Sequence, residues 1–115
     1  MRAANRTRGT TLASNVTVAE TFGARLRGLM LRPPLAPGAG LLIRPCSGIH
    51  TCFMRGAIDV VFLDDAGAVV AALGPLAPFR VTRIYPRAAA VLELPPGTVA
   101  ASGTVVGDLV ALEAD

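Results

Sequence analysis

The side chains best suited to chemistry lie in one short stretch. Between positions 46 and 65 the sequence CSGIHTCFMRGAIDVVFLDD contains the only histidine, both cysteines and a carboxylate inside an apolar run. On a strand, alternate side chains share a face, so His50, Cys52 and Met54 would lie together. Imidazole, thiolate and thioether groups bind soft ions such as Cu(I). Cysteine and methionine are also common core residues, so packing around a hydrogen-bonded histidine is the favoured interpretation.

A cysteine nucleophile is a second interpretation of this stretch. Cys52 would lie beside His50, and a neighbouring base can help to form the reactive thiolate. Side chains two residues apart on one strand project side by side, however, which is a marginal geometry for proton transfer. No third group that would orient the base is identifiable. The sequence therefore predicts no catalytic residue and no cofactor.

Asp59 is the most informative polar residue because it interrupts the apolar run AIDVVFL. It shares a strand face with Val61 and Leu63, and an ionised carboxylate buried there costs several kcal/mol unless it is paired. Arg25 is the first candidate for its cation, with His50 and Arg55 as alternatives. The pair would be either a structural tie between helix and sheet or part of a polar pocket.

Two other carboxylates favour structural roles. Glu93 lies between leucines in VLELP and shares a face with Val91, which is typical of a solvated or paired residue. Asp108 in VGDLV is most simply a turn residue that opens the last strand.

The N-terminal part of the chain predicts a helix that follows a small hairpin. Residues 1–9 are polar and basic and favour a flexible basic arm, whereas residues 10–19 favour two short strands. Thr17 and Glu20 match a capping box, and Pro33 ends the helix at or before Arg32. An apolar stripe then follows at helical spacing: Phe22, Leu26, Leu29 and Met30.

Beyond residue 38 the pattern changes to short strands. The segments GLLIRP, SGIHTCF, IDVVFLD, AVVAAL, FRVTRIYP, AAVLELPPG and DLVALEA are separated by turn residues. DDAG predicts a bulged hairpin with Gly67 at positive φ, and TVAASG predicts a helical turn that ends at Gly103. The sequence therefore predicts a mainly β fold: a single-domain antiparallel β-sandwich or small barrel over residues 10–115, with one short N-terminal helix and a helical turn near the C-terminus.

Composition narrows the class of protein. The chain has 115 residues, of which 52% are hydrophobic and 17% charged, as expected of one globular domain. No apolar run approaches the length that spans a bilayer, and the N-terminus has no apolar signal region, so a cytoplasmic location is expected. All eleven basic residues are arginine, and they are scattered without the aromatic ladder of single-strand binders. Nucleic acid is therefore disfavoured as a partner.

The ordered motifs resemble a known family. RLRGLMLR, then C-x-x-x-H-x-x-x-M-x-x-x-I-D-V-V-F-L-D-x-x-G-x-V-V, then VLELPPGT and G-x-x-x-G-D are similar to domain of unknown function 192 (DUF192). The resemblance runs from about Thr11 to Glu113 and implies a compact, mostly antiparallel β-sandwich with a short helix, but no established activity. The positions that it implies are Arg25, His50, Asp59 and Asp64 as characteristic polar residues, with Gly28, Met30, Met54 and Gly67 as structural companions.

The functional expectation is a non-enzymatic domain that binds a small polar or anionic ligand, or a protein partner, in a pocket near the helix. Arg25 would supply a bidentate fork, His50 a hydrogen-bonding imidazole, and Asp59 would orient one of them, with Arg55 nearby. An enzyme that uses His50 and Asp59 for acid and base chemistry is the alternative. A Cu(I) protein that uses His50, Cys52 and Met54 is the third class. A concave pocket would favour catalysis, and a flat apolar patch would favour a binding surface.

Overall fold

Eight strands and one short helix make up the part of the chain that the computed structural model describes, which is residues 1–20, 35–51 and 55–114. The elements are β1 (Arg2–Asn5), β2 (Thr10–Ala13), β3 (Asn15–Ala19), β4 (Ala39–Ile43), β5 (Ile58–Leu63), β6 (Val69–Leu76), β7 (Ala90–Leu94), α1 (Thr98–Ser102) and β8 (Val110–Glu113).

The strands form two sheets that pack face to face. One sheet has the order β2-β1-β8 and the other has the order β3-β4-β7-β5-β6. Apolar side chains from both sheets fill the space between them, among them Ala3, Leu12, Leu42, Leu92 and Val110. The expectation of a mainly β, sandwich-like fold is confirmed.

The five-stranded sheet is covered on both faces. All six residues of β5 are buried, because β5 lies between β6 and β7 and packs on both sides. A second apolar cluster, which includes Val60, Phe62 and Val91, lies on the face that points away from the three-stranded sheet. Tyr85 covers part of this outer face, and its ring lies 4.7 Å from the Phe62 ring.

Three predictions about the N-terminal part and the sheet are wrong. Residues 1–9 are not simply a flexible arm, since β1 is the central strand of the three-stranded sheet and Ala3 is fully buried. The helix does not start at Thr17, because Thr17 lies within β3, where it pairs with Leu41. The sheet is not purely antiparallel, since β3 and β4 run parallel. The remainder of the predicted helix, residues 21–32, lies outside the described residues.

The helical turn near the C-terminus is confirmed as α1, the only helix among the described residues. It ends at Gly103, whose φ of 70° lets its N–H turn back onto the Ala100 carbonyl. Gly97 precedes the helix and has no side chain to cap it. In the described ranges no helix has the length and apolar character needed to cross a membrane.

Candidate functional site

Asp59 is buried and has a structural role. Only 1% of the residue is exposed, and its Oδ2 accepts a hydrogen bond from the Val99 N–H at 2.8 Å. A strand residue thus caps α1 in place of the missing cap at Gly97. The other carboxylate oxygen, Oδ1, is buried without a hydrogen-bond partner. Asp59 therefore contacts the helix near the C-terminus.

His50 lies on the surface. The residue is exposed and forms an isolated antiparallel bridge with Val81. Arg55 is also exposed, a short distance along the chain. The imidazole of His50 is thus on an exposed residue, whereas the Asp59 carboxylate is buried. Arg25, Cys52 and Met54 lie outside the described residues, so the ligand pocket and the soft-metal site remain predictions.

Asp64 and Gly67, which the resemblance singles out, build the predicted hairpin between β5 and β6. Asp64 Oδ1 accepts hydrogen bonds from the N–H groups of Ala66 and Ala68, both at 2.9 Å. Gly67 has a φ of 87°, and a Cβ there would lie 2.5 Å from the Val110 carbonyl oxygen. These two residues are explained by the turn and by its close approach to β8.

A second buried polar group ties β1 to the loop before β8. Asp108 Oδ2 accepts hydrogen bonds from Asn5 Nδ2 and Arg8 Nε, both at 3.0 Å, and from the Val105 N–H at 3.1 Å. The bonds from Arg8 and Asn5 lower the pKa of Asp108 to about 2. Asn5 Nδ2 also donates to Thr104 Oγ1 at 3.0 Å. This network therefore stabilises the fold, in agreement with the turn role expected of Asp108.

Glu93 differs from the structural residue expected from the sequence. It is 1% exposed, lies on the central strand β7 opposite Leu41 and Val60, and its Oε2 has no hydrogen-bond partner. Burial raises the pKa of its carboxyl from 4.5 to about 7. Alternation along VLELP predicts the face on which Glu93 lies, but the burial of that face depends on segments remote in sequence.

Exposed apolar side chains cluster in the segment of residues 79–85, which we call the arginine ribbon. Phe79, Val81 and Ile84 are 66%, 77% and 63% exposed. Arg80 and Arg83 lie between them in sequence and are exposed as well. The sequence predicts a strand here but no site, although FRVTRI combines apolar residues with Arg80 and Arg83.

The arginine ribbon is held against residues 47–51 by hydrogen bonds. The N–H groups of Phe79, Thr82 and Tyr85 donate to carbonyls of residues 51, 49 and 47 at 3.1, 2.9 and 2.8 Å. A Cβ on Gly48 would lie 2.7 Å from Ile84 Cδ1, which shows how closely the two segments approach. The ribbon is therefore a supported part of the fold.

Charge is distributed unevenly around this ribbon. In the described ranges, the arginines that pair with carboxylates are Arg2, Arg6, Arg8 and Arg44. Arg80 and Arg83 form no ion pair with a described residue, and Arg83 lies over the Tyr85 ring at 5.3 Å from its centre. The sequence has no acidic residue from position 66 to 92 or from 21 to 58. Among the described residues, no carboxylate forms an ion pair with Arg80 or Arg83, so the ribbon presents positive charge.

Clefts are also lined by described residues, and two of them include neither His50 nor Asp59. One, of about 460 Å³, opens beside the β5–β6 hairpin and β8 and contains Arg44, Asp64 and Asp65. The other, of about 500 Å³, lies between β2 and the start of α1 and is mostly apolar. In the described ranges, no three histidine, cysteine, aspartate or glutamate side chains are placed to hold a metal ion.

Comparison with known proteins gives a consistent family. The model of DUF192, described as "Uncharacterized ACR", matches residues 3–112. A UPF0127 protein of Thermococcus sibiricus is 34% identical over 111 residues, which cover 90% of this chain and 70% of that protein. A UPF0127 protein of Pyrococcus furiosus is 36% identical over 107 residues, covering 90% of this chain and 91% of its own.

Solved structures share the fold. A Sinorhizobium meliloti protein, described as a proposed transcription regulator, superposes with a TM-score of 0.78 at 25% identity over 96% of this chain and 89% of its own. A protein of unknown function from Novosphingobium aromaticivorans superposes with a TM-score of 0.81 at 19% identity over 96% and 82% of the two chains. The second likeness concerns the fold alone.

Proposed function

The chain belongs to the DUF192 family, and we propose that it is a non-enzymatic binding domain for an anionic partner. The arginine ribbon is the binding surface, with His50 and Arg55 beside it in the chain segment that supports it. This proposal keeps two residues of the pocket expected from the sequence, His50 and Arg55, and leaves Asp59 to its role in capping α1.

The observation that carries the proposal is the contrast among the arginines. Arg2, on β1, and Arg6, in the turn that follows it, both pair with Glu113. Arg80 and Arg83 have no such carboxylate among the described residues, although a guanidinium is well suited to bidentate contacts with one. Unneutralised arginines on a supported ribbon form a surface that is complementary to an anionic partner.

The exposure of His50 supports a binding domain over an enzyme. Catalysis needs convergent polar groups in a concave pocket. His50 is instead exposed beside an apolar and basic surface, whereas Asp59 is buried and bonded to α1. Exposed apolar groups with a polar rim are typical of an interaction site.

The experiment compares two double variants with the same net charge. Arg80→Gln/Arg83→Gln removes the proposed contacts. Arg2→Gln/Arg6→Gln is the matched control, at the three-stranded sheet. The probe is a fluorescein-labelled polyglutamate peptide, and its anisotropy is measured at low ionic strength. We expect the ribbon variant to bind about tenfold or more weakly than wild type, because two charged contacts are lost, and the control to bind within about twofold.

Equal weakening by both variants would show that net charge alone attracts the peptide and would overturn the proposal. Absence of measurable binding to wild type would overturn it as well. Circular dichroism and thermal unfolding of each variant establish that the folds are comparable.

A further inference from the structure

The backbone of Val81 points away from the fold. On one side of it, the Thr51 N–H donates to the Arg80 carbonyl at 2.8 Å. On the other side, the Thr82 N–H donates to the Ile49 carbonyl at 2.9 Å. In an antiparallel pair, a residue between two such bonds turns its own N–H and C=O to the opposite side. Val81, which is 77% exposed, thus presents a donor and an acceptor on an edge with which no described strand pairs.

This edge is fixed before any partner binds. Thr51 is fully buried, and its hydroxyl donates to the Ala77 carbonyl at 2.7 Å and accepts from the Arg80 N–H at 2.8 Å. The turn between these contacts holds Phe79 at a φ of 63°, which is rare for a bulky residue. A fixed edge loses little conformational entropy when it is paired, so binding is more favourable.

Charge decides what kind of strand could pair there. A second copy of this chain, paired edge to edge at Val81, would bring Arg80 and Arg83 near their own equivalents, which is unfavourable. A strand with acidic residues would neutralise them, and its apolar residues would cover Val81 and Ile84. Nucleic acid would neutralise the arginines but would leave the aliphatic side chains and the open edge unused.

We infer that the anionic partner is a protein, and that an extended acidic segment of it pairs as an added strand with the outer edge of the arginine ribbon at Val81. This inference rests on the proposed function and specifies its partner. Main-chain hydrogen bonds to Val81 hold the segment, Arg80 and Arg83 contact its carboxylates, and Val81 and Ile84 contact its aliphatic side chains. The mode is strand addition, in which the backbone gives affinity and the side chains give specificity.

The test uses a fluorescein-labelled peptide of repeated Glu-Glu-Val-Val, which carries carboxylates and aliphatic side chains on both faces of an extended strand. A second peptide has the same sequence, but every backbone amide is N-methylated, so that neither edge can donate hydrogen bonds. Val81→Pro removes the outward N–H while leaving the inward bonds of residues 80 and 82 intact, and Val81→Ala is the control for the side chain. Val106→Ala, at another exposed valine, is the control for apolar surface.

We expect the N-methylated peptide to bind wild type about tenfold more weakly than its parent, and Val81→Pro to weaken the parent peptide similarly. Val81→Ala should have a smaller effect, and Val106→Ala none. If Val81→Pro fails to fold, the difference between the affinities of wild type for the two peptides tests the inference.

Binding that depends on Arg80 and Arg83 but is the same for both peptides would overturn strand addition and leave the proposed function standing. A duplex DNA probe that binds more tightly than the peptide, with the same dependence on the two arginines, would also overturn the protein partner while keeping the anionic surface. Loss of all dependence on these arginines would overturn the proposed function itself.

Discussion

At the level of single residues, two buried carboxylates show how surroundings decide the charge of a side chain. Asp108 accepts hydrogen bonds from Arg8 and Asn5, so its pKa falls to about 2. Glu93 lies among apolar side chains on β7, and burial raises its pKa to about 7. The first stabilises the fold when ionised, whereas the second stabilises it when protonated.

The Glu93 carboxyl makes stability depend on pH in a defined direction. Its folded pKa of about 7 lies above the unfolded value of 4.5, so the folded chain binds this proton more tightly. The contribution is complete below pH 4.5 and is lost as the pH rises to about 7. We expect about 3 kcal/mol of the free energy of unfolding to disappear over this range.

Denaturant unfolding of wild type and Glu93→Gln at both ends of this pH range measures the effect. The Gln variant should lack this part of the pH dependence, and its stability relative to wild type should rise with pH. Asp65→Asn, at an exposed turn residue, serves as the control and should follow wild type. If Glu93→Gln retained the full pH dependence, burial of this carboxyl would not be its cause.

The sequence predicted the buried position of Asp59 but not its hydrogen-bond partner. Alternation in AIDVVFL correctly placed Asp59 with Val61 and Leu63, since strand geometry alone fixes that face. Its partner, the Val99 N–H, is 40 positions away and reaches Asp59 only through the packing of α1 on the sheet. Glu93 was expected to be solvated or paired because the cover over its face could not be inferred from its neighbours.

At the level of elements, the β5–β6 pairing leaves no room at Gly74. A Cβ there would lie 2.1 Å from Asp59 Oδ1, on the carboxylate whose other oxygen caps α1. Gly74→Ala must therefore displace Asp59 and disturb the helix cap. We expect a loss of about 1–3 kcal/mol in the free energy of unfolding.

A double-mutant cycle with Asp59→Ala separates this clash from other effects of the alanine. Asp59→Ala removes the carboxylate oxygen with which the new Cβ would clash. Gly74→Ala should therefore lower the free energy of unfolding clearly less in that background than in wild type. The readout is chemical denaturation of the four proteins at one pH. If the two losses in the free energy of unfolding were additive, the two positions would not interact, and Gly74 would matter for another reason.

Elements with strong local signals were predicted well, and those defined by long-range pairing were not. DDAG gave the β5–β6 hairpin because Asp64 and Gly67 carry its turn chemistry within four residues. β1 was missed because RAAN has little apolar character, and its pairing with β8 joins the two ends of the chain. The Thr17 capping pattern failed because parallel pairing with β4 placed that residue in a strand.

At the level of the whole molecule, two sheets form the scaffold and the arginine ribbon lies outside them. Phe62 and Tyr85 connect the ribbon to the outer face of the five-stranded sheet. The net charge of +3 is small, so its distribution matters more than its sum. Apolar and arginine residues in FRVTRI indicate such a surface only once the fold shows that they are exposed.

An NMR titration of the isotopically labelled protein with the same glutamate and valine peptide would locate the surface to which the peptide binds. The account predicts that amide signals of residues 47–51 and 79–85 shift most, with the Val81 amide protected from hydrogen exchange in the complex. Shifts concentrated instead at residues 64–67 and 109–112, around the cleft beside β8, with the ribbon signals unchanged, would contradict it.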